Sequence, residues 1–229
     1  MPGVPNSFAR KMAFTTLVWG ILTIAFTFYM GSHFPQSANL AEGYKTPIIA
    51  FEFAQTPEDL EFLTGPSEQA AAKRAQMING HKLDMVYPLF YAGMLALGMV
   101  ALARSGDKLA WLGLLMAALT LPTDIYENIV LNQIVTALER GESVTSHLIT
   151  LNAATWYKWW AIAAAEAMLA YCLFKENRWV GGALAALSAA TITAIKISGT
   201  NPTIAELAGP SIGLVLLYLI LNAAWALRK

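Results

Sequence analysis

Six runs of about twenty apolar residues, the length a helix needs to cross the hydrocarbon core of a bilayer, run almost end to end through the sequence. They are Met12 to Gly31, Leu83 to Ala103, Leu109 to Val135, Leu148 to Phe174, Trp179 to Gly199 and Leu207 to Leu227. Because lipid supplies no hydrogen bonds, the backbone of such a run has to bond to itself, and an uninterrupted apolar run does so as a helix. The expected fold is therefore all-α: an integral membrane six-helix bundle, one transmembrane domain over residues 1–229, with a short helical cap on the outer face. Composition agrees, since hydrophobic residues make up 56% of the chain and charged residues 13%, against about 25% charged in an average globular domain. A formal net charge of zero gives no basic footprint for nucleic acid. The single cysteine, Cys172, lies inside an apolar run, which excludes an intramolecular disulfide, a CxxC redox pair and a cysteine zinc cluster.

Orientation follows from the basic residues. The first run is preceded by Arg10 and Lys11, as a signal peptide would be. Its apolar stretch exceeds the usual length of about 7–15 residues, and no small-x-small cleavage site follows, so it reads as a retained anchor. With the N-terminus in the cytoplasm, the inner segments hold Arg10, Lys11, Arg104, Lys108, Lys175, Arg178, Arg228 and Lys229. The outer segments hold Lys45, Lys73, Arg74, Lys82 and Arg140, and the first four of these fall in or beside one long loop, where charge bias counts for less. Both termini are expected in the cytoplasm, and the membrane is expected to be a bacterial inner membrane.

That long loop, residues 32–80, is too long to be only a connection. Thr56-Pro57-Glu58-Asp59 reads as a helix start, with a threonine cap, proline at the first position and two acids near the positive end of the dipole. Gly65-Pro66 stops it. Ser67-Glu68 starts a second short helix, expected to end at Asn79-Gly80. No repeat relates the first three runs to the last three, so a transporter built on inverted repeats is not indicated.

Charges inside a bilayer are costly, so each needs a partner or a purpose. The second run holds Asp84, the third Asp124 and Glu127, the fourth Lys158 and Glu166, and the fifth Lys196. Glu127 lies about 13 Å below the outer end of its run, and Lys158 about 16 Å below the outer end of the next, at the rise of an α-helix. The two depths nearly coincide. Helical spacing places Asp124, Glu127, Asn128 and Asn132 within one arc of about 140°, and lines up Asn152, Thr155, Lys158 and Trp159 on the next helix. Asp84, Tyr87 and Tyr91 form a third polar face. A pocket in the outer half, between the second, third and fourth spans, is expected, with Pro88 and Pro122 bending their helices beside it.

At Glu52-Phe53-Ala54-Gln55-Thr56-Pro57-Glu58, at Leu83-Asp84 followed by Tyr91, and at Asp124-Ile125-Tyr126-Glu127-Asn128, the chain resembles a family of bacterial multi-pass membrane proteins without an assigned activity. The likeness covers roughly residues 50 to 130, and a lysine of the following span is similar to Lys158. It implies Glu52 as a further site residue and supplies no reaction.

The candidate acid, base and electrostatic groups are thus Asp84, Asp124, Glu127 and Lys158. The candidate ligand-binding residues are Glu52, Tyr87, Tyr91, Asn128, Asn152, Trp156 and Trp159. The leading expectation is a protein that binds or transforms an amphiphilic, lipid-like molecule, a carboxyl group exchanging the proton and the tryptophans forming an apolar or cation-stabilising wall. The same charges also fit a structural ion pair in a non-catalytic subunit or scaffold of a membrane complex, and, as a third reading, the relay of a proton- or cation-coupled carrier. The expected partners are membrane lipid, an amphiphilic small molecule and other membrane proteins, and no nucleic acid. His81-x-x-Asp84 with Asp124 and Glu127 combines ligand types that suit divalent ions. With three histidines in the chain and no HxxxH or HExxH, no metal is assigned. Nor is a cofactor: there is no P-loop, dinucleotide fingerprint, G-x-S-x-G elbow or mid-span haem ligand.

Reporter fusions after Lys108, Arg178 and Lys229 should all report cytoplasm, whereas a periplasmic signal from any two of them would overturn the six-span topology.

Overall fold

The computed structural model describes residues 7–104 and 106–228; Lys229, counted above with the cytoplasmic basic residues, lies outside them. Among the described residues the chain is helical and has no strand. The elements are α1 (Ser7–Gly31), α2 (Pro47–Glu52), a 3-10 helix (Pro57–Leu63), α3 (Glu68–Asp84), α4 (Tyr87–Arg104), α5 (Leu109–Glu139), α6 (Thr145–Lys175), α7 (Trp179–Ile197) and α8 (Pro202–Leu227).

Five segments are long and apolar enough to cross a membrane: Ser7–Gly31, Glu68–Arg104, Leu109–Glu139, Trp179–Ile197 and Pro202–Leu227. The sixth expected span, α6, has the length, at 31 residues, but is not among them. It carries Asn152, Lys158 and Glu166 between its apolar residues.

The long helices close into a ring. Each of α4, α5, α6, α7 and α8 packs on the next, and α1 joins α8 back to α4, which also reaches α6 and α8 across the interior. The interior is apolar, with Met94, Leu95, Met99, Leu169 and Leu173 fully buried. The outward faces are apolar too, as with Phe14, Phe28, Leu115, Leu187 and Leu221, and an apolar exterior of this kind suits acyl chains rather than water.

The segment between α1 and α4 folds onto this frame. Phe51, Leu60, Leu63 and Met77 are fully buried against Leu131 and Ile134 of α5 and Leu151 of α6. Its local grammar is visible in the hydrogen bonds: the Asp59 carboxylate accepts from the backbone N–H groups of Gln55 and Thr56, both at 2.9 Å, and the Ser67 hydroxyl caps α3 by accepting from Ala70. Between them Gly65 takes φ +89°, a conformation that a side chain would strain. A second tether comes from α8, where the Glu206 carboxylate accepts from the N–H groups of Lys45 and Thr46, both at 2.8 Å, and from the Thr46 hydroxyl at 2.6 Å. Beside it, burial pushes the Tyr44 hydroxyl up to about 12, with Asp59 and Glu206 adding in the same direction.

Three boundaries differ from the sequence expectation. The helix begun at Ser67 does not stop at Asn79-Gly80 but continues as α3 to Asp84. Gly80 serves a close approach instead, because a Cβ there would lie 2.4 Å from the Phe34 ring. Helix α4 begins at Tyr87, after a turn at Met85 and Val86 that falls inside the run expected from Leu83. Pro88 therefore sits in the first turn of α4, where its missing N–H breaks no helical bond, while Pro122 lies within the unbroken α5. Finally, α8 starts at Pro202, five residues before the apolar run at Leu207, and so includes Glu206.

The α1–α8 contact is close at Gly20, where a Cβ would lie 2.3 Å from Ile220 Cγ1. Gly20→Ala should destabilise the folded protein by about 1–3 kcal/mol through overpacking, and Ile220→Ala in the same chain should recover part of the loss. Thermal unfolding in detergent measures both; a Gly20→Ala variant as stable as the parent would contradict this packing.

Candidate functional site

Lys158 lies midway along α6, and its ammonium, inside the ring, has carboxylates on two sides. It contacts the Glu127 carboxylate of α5 and lies 2.9 Å from Glu52 Oε2 at the end of α2. Glu52 is fixed twice more by α6: Trp159 Nε1 donates to its carboxylate at 3.2 Å, and the Thr155 hydroxyl donates to its backbone carbonyl at 3.1 Å. The short helix α2 is thus latched to α6 at Glu52. The Lys158 ammonium also stands 5.0 Å from the centre of the Trp159 ring.

One turn before Glu127, Asp124 is held differently. The Tyr91 hydroxyl donates to its Oδ2, and the Asn128 amide donates to its Oδ1 at 2.9 Å and its backbone carbonyl at 3.2 Å. No cation contacts it among the described ion pairs. Asp84, at the last position of α3, is 7% exposed and likewise has no ion pair. Four buried carboxyl groups, Glu52, Asp84, Asp124 and Glu127, therefore surround one ammonium. The depth match of Lys158 and Glu127 is seen as a contact, while the second carboxylate on Lys158 is Glu52 rather than Asp124. Lys196 lies over the Trp156 ring, 4.5 Å from its centre, and is exposed.

A cavity of about 560 Å³ opens beside these groups. Glu52, Asp84, Tyr87, Tyr91, Asp124, Lys158 and Trp159 line its polar part. The rest is largely apolar and comes mostly from α1 and α8, including Ile24, Phe28, Ile212, Gly213 and Leu216, with Ile48 and Ile49 of α2 and Ile162 of α6. Phe28 and Leu217, on its lining, are 76% and 43% exposed, so the cavity reaches the outside of the bundle between α1 and α8. The sequence placed the pocket among the second, third and fourth spans alone. Its apolar wall belongs mostly to the two runs without internal charges, because a residue facing a cavity and one facing lipid have the same apolar character. The readable signal was Gly209-x-x-x-Gly213, two glycines one turn apart, each with open space where a Cβ would stand.

Not every candidate joins the cluster. Asn128 is there through Asp124, and Glu127 through Lys158, although neither lines the cavity. Trp156 packs against Phe53, ring centres 5.8 Å apart, and lines no part of the cavity; Asn152 is half-buried and outside it. Glu166 is fully buried elsewhere on α6. His81 is buried between Phe34 and Phe51, with Nδ1 3.3 Å from Asn132 Oδ1. Among the described residues no group of three His, Cys, Asp or Glu side chains is disposed to hold a metal. Chemically, the arrangement offers carboxyl groups that face an apolar cavity and can bind a polar group or exchange a proton with it.

Removing one partner of a buried pair strands the other charge, at about 3–5 kcal/mol. Lys158→Met strands two, so the loss of thermal stability should be large and Glu127→Gln alone should recover only part of it. Adding Glu52→Gln should recover most of the remainder. Full recovery with Glu127→Gln alone would contradict the three-residue arrangement.

In comparisons with known proteins, no family model, no curated protein and no solved structure matches the chain.

Proposed function

We propose that the chain is a six-span protein of a bacterial inner membrane, both termini cytoplasmic, that takes up an amphiphilic, lipid-like molecule from the bilayer into this cavity. In this reading α6 crosses the membrane with the others, because Lys158 is neutralised inside the ring rather than exposed to lipid. Residues 32–80 cap the outer face. The likeness of residues 50 to 130 to a family without assigned activity fits such a protein and adds no reaction.

The observation that carries the proposal is the cavity itself: apolar along α1 and α8, open sideways between them, and bounded by buried carboxyl groups. Its volume falls in the range of about 300–1,000 Å³ typical of small-molecule sites. The tail lies against the apolar wall, and the polar end reaches Asp84 and Asp124, which serve as proton donor or acceptor. Lys158 sets the local field through Glu52 and Glu127, and Trp159 forms the adjoining wall.

A scaffold would also be served by the Glu52–Lys158–Glu127 arrangement. Two carboxyl groups facing a cavity without a cation of their own favour binding instead. A carrier needs a polar path from the cluster to both faces, and the lining beyond the cluster is mostly apolar.

Gly209→Leu and Gly213→Leu place side chains in open space, so they should leave the fold intact while filling the cavity. Native mass spectrometry of the protein in mild detergent should find a co-purifying lipid on the parent and little or none on the double variant. Retention of the same lipid at parental occupancy by the double variant would overturn the proposal.

A further inference from the structure

We infer that the polar end of the molecule held in this cavity is positively charged: an alkylammonium group, primary amine or quaternary ammonium, on an apolar tail. The inference rests on the binding reading above and goes beyond it to the class of ligand.

It begins with the charge balance. Glu52, Asp84, Asp124 and Glu127 converge on Lys158, whose ammonium is already committed to Glu127 and Glu52. The two carboxyl groups that line the cavity without an ion pair are Asp84 and Asp124. A buried carboxyl group stays ionised only when a cation or hydrogen-bond donors compensate it, and otherwise takes up a proton. A phosphate, sulfate or carboxylate head would add to the excess of negative groups, and a neutral head would leave it unchanged. An ammonium head compensates it directly.

The second observation is Asp84 itself. It is more than nine-tenths buried and faces the cavity. Asn128, which donates to Asp124, is also the side-chain hydrogen-bond partner of Asp84, and among the described residues no cation pairs with Asp84. The third is the lining around it: the Tyr87 and Tyr91 rings, 5.2 Å apart, and Trp159 all border the cavity. Aromatic faces attract ammonium groups, tryptophan most strongly. Lys158 does not oppose an incoming cation as a bare charge would, since carboxylates neutralise it on two sides.

The test uses three probes with one tail and different heads: oleylamine, oleyl alcohol and oleate, each added to the full chain in nanodiscs. Occupancy is read by native mass spectrometry, and thermal shift follows it in parallel. The parent should hold oleylamine about tenfold or more over oleyl alcohol, with oleate weakest. Asp84→Asn should lower the preference for amine over alcohol by a similar factor, and Gly213→Leu should reduce retention of all three. Should Asp84→Asn fail to fold, the ranking of the three heads on the parent decides. Equal retention of amine and alcohol, or a preference for oleate, would overturn the charged-head inference while leaving binding intact. Retention that Gly213→Leu does not diminish, or no retention of any probe, would remove the binding reading and this inference with it.

Discussion

The structure turns on one ammonium group. Lys158 sits inside a ring of apolar helices, where a lone charge would cost several kcal/mol, and it is tolerated because Glu127 and Glu52 approach it from two different elements. The first contact joins α6 to α5 at mid-helix. The second draws the end of α2 into the ring, so a segment that leaves α1 on the outside of the bundle contributes a carboxylate to its interior. Because both of these acids are taken by the lysine, Asp84 and Asp124 are left to face the cavity.

Packing supports what the charges specify. The segment between α1 and α4 is anchored by buried Phe51, Leu60, Leu63 and Met77 and tied to α8 by the Glu206 carboxylate. Glu52 is therefore held from both directions: its own helix is pinned at the start by Glu206 and at the end by Trp159 and Thr155. Such support narrows the positions available to a side chain that closes an ion pair, and a site held on rigid elements keeps its geometry without a ligand. On the other side of the cavity, α1 and α8 approach closely at Gly20 and Ile220 and leave room at Gly209 and Gly213, so the wall is tight at one level and open at another.

Much of the frame was legible because bilayer physics is simple: length and apolarity mark the crossing segments, and five of them satisfy both measures in the structure. The matching depths of Glu127 and Lys158 were legible too, since helical rise alone sets them. What could not be read depends on contacts between distant parts of the chain. Gly80 has the same composition signal whether it ends a helix or admits the Phe34 ring. Pro88 has the same signal whether it bends a helix or begins one. Glu206 lies outside the apolar run that marks its helix, and its role appears only once Lys45 and Thr46 are beside it. Lys196, a charge within an apolar run like Lys158, lies over the Trp156 ring. The cavity wall on α1 and α8 was the least visible element, because its residues differ in no way from those that touch lipid.

The central claim is that this cavity receives an amphiphile from the bilayer with its polar end at the acidic cluster. The most direct measurement is an experimental density map of the protein in a lipid nanodisc. The account predicts an elongated non-protein feature between α1 and α8, its inner end within hydrogen-bonding distance of Asp84 or Asp124. A map in which α1 and α8 close against each other with no space between Phe28 and Gly213, and no non-protein feature reaches Asp84 or Asp124, would contradict it.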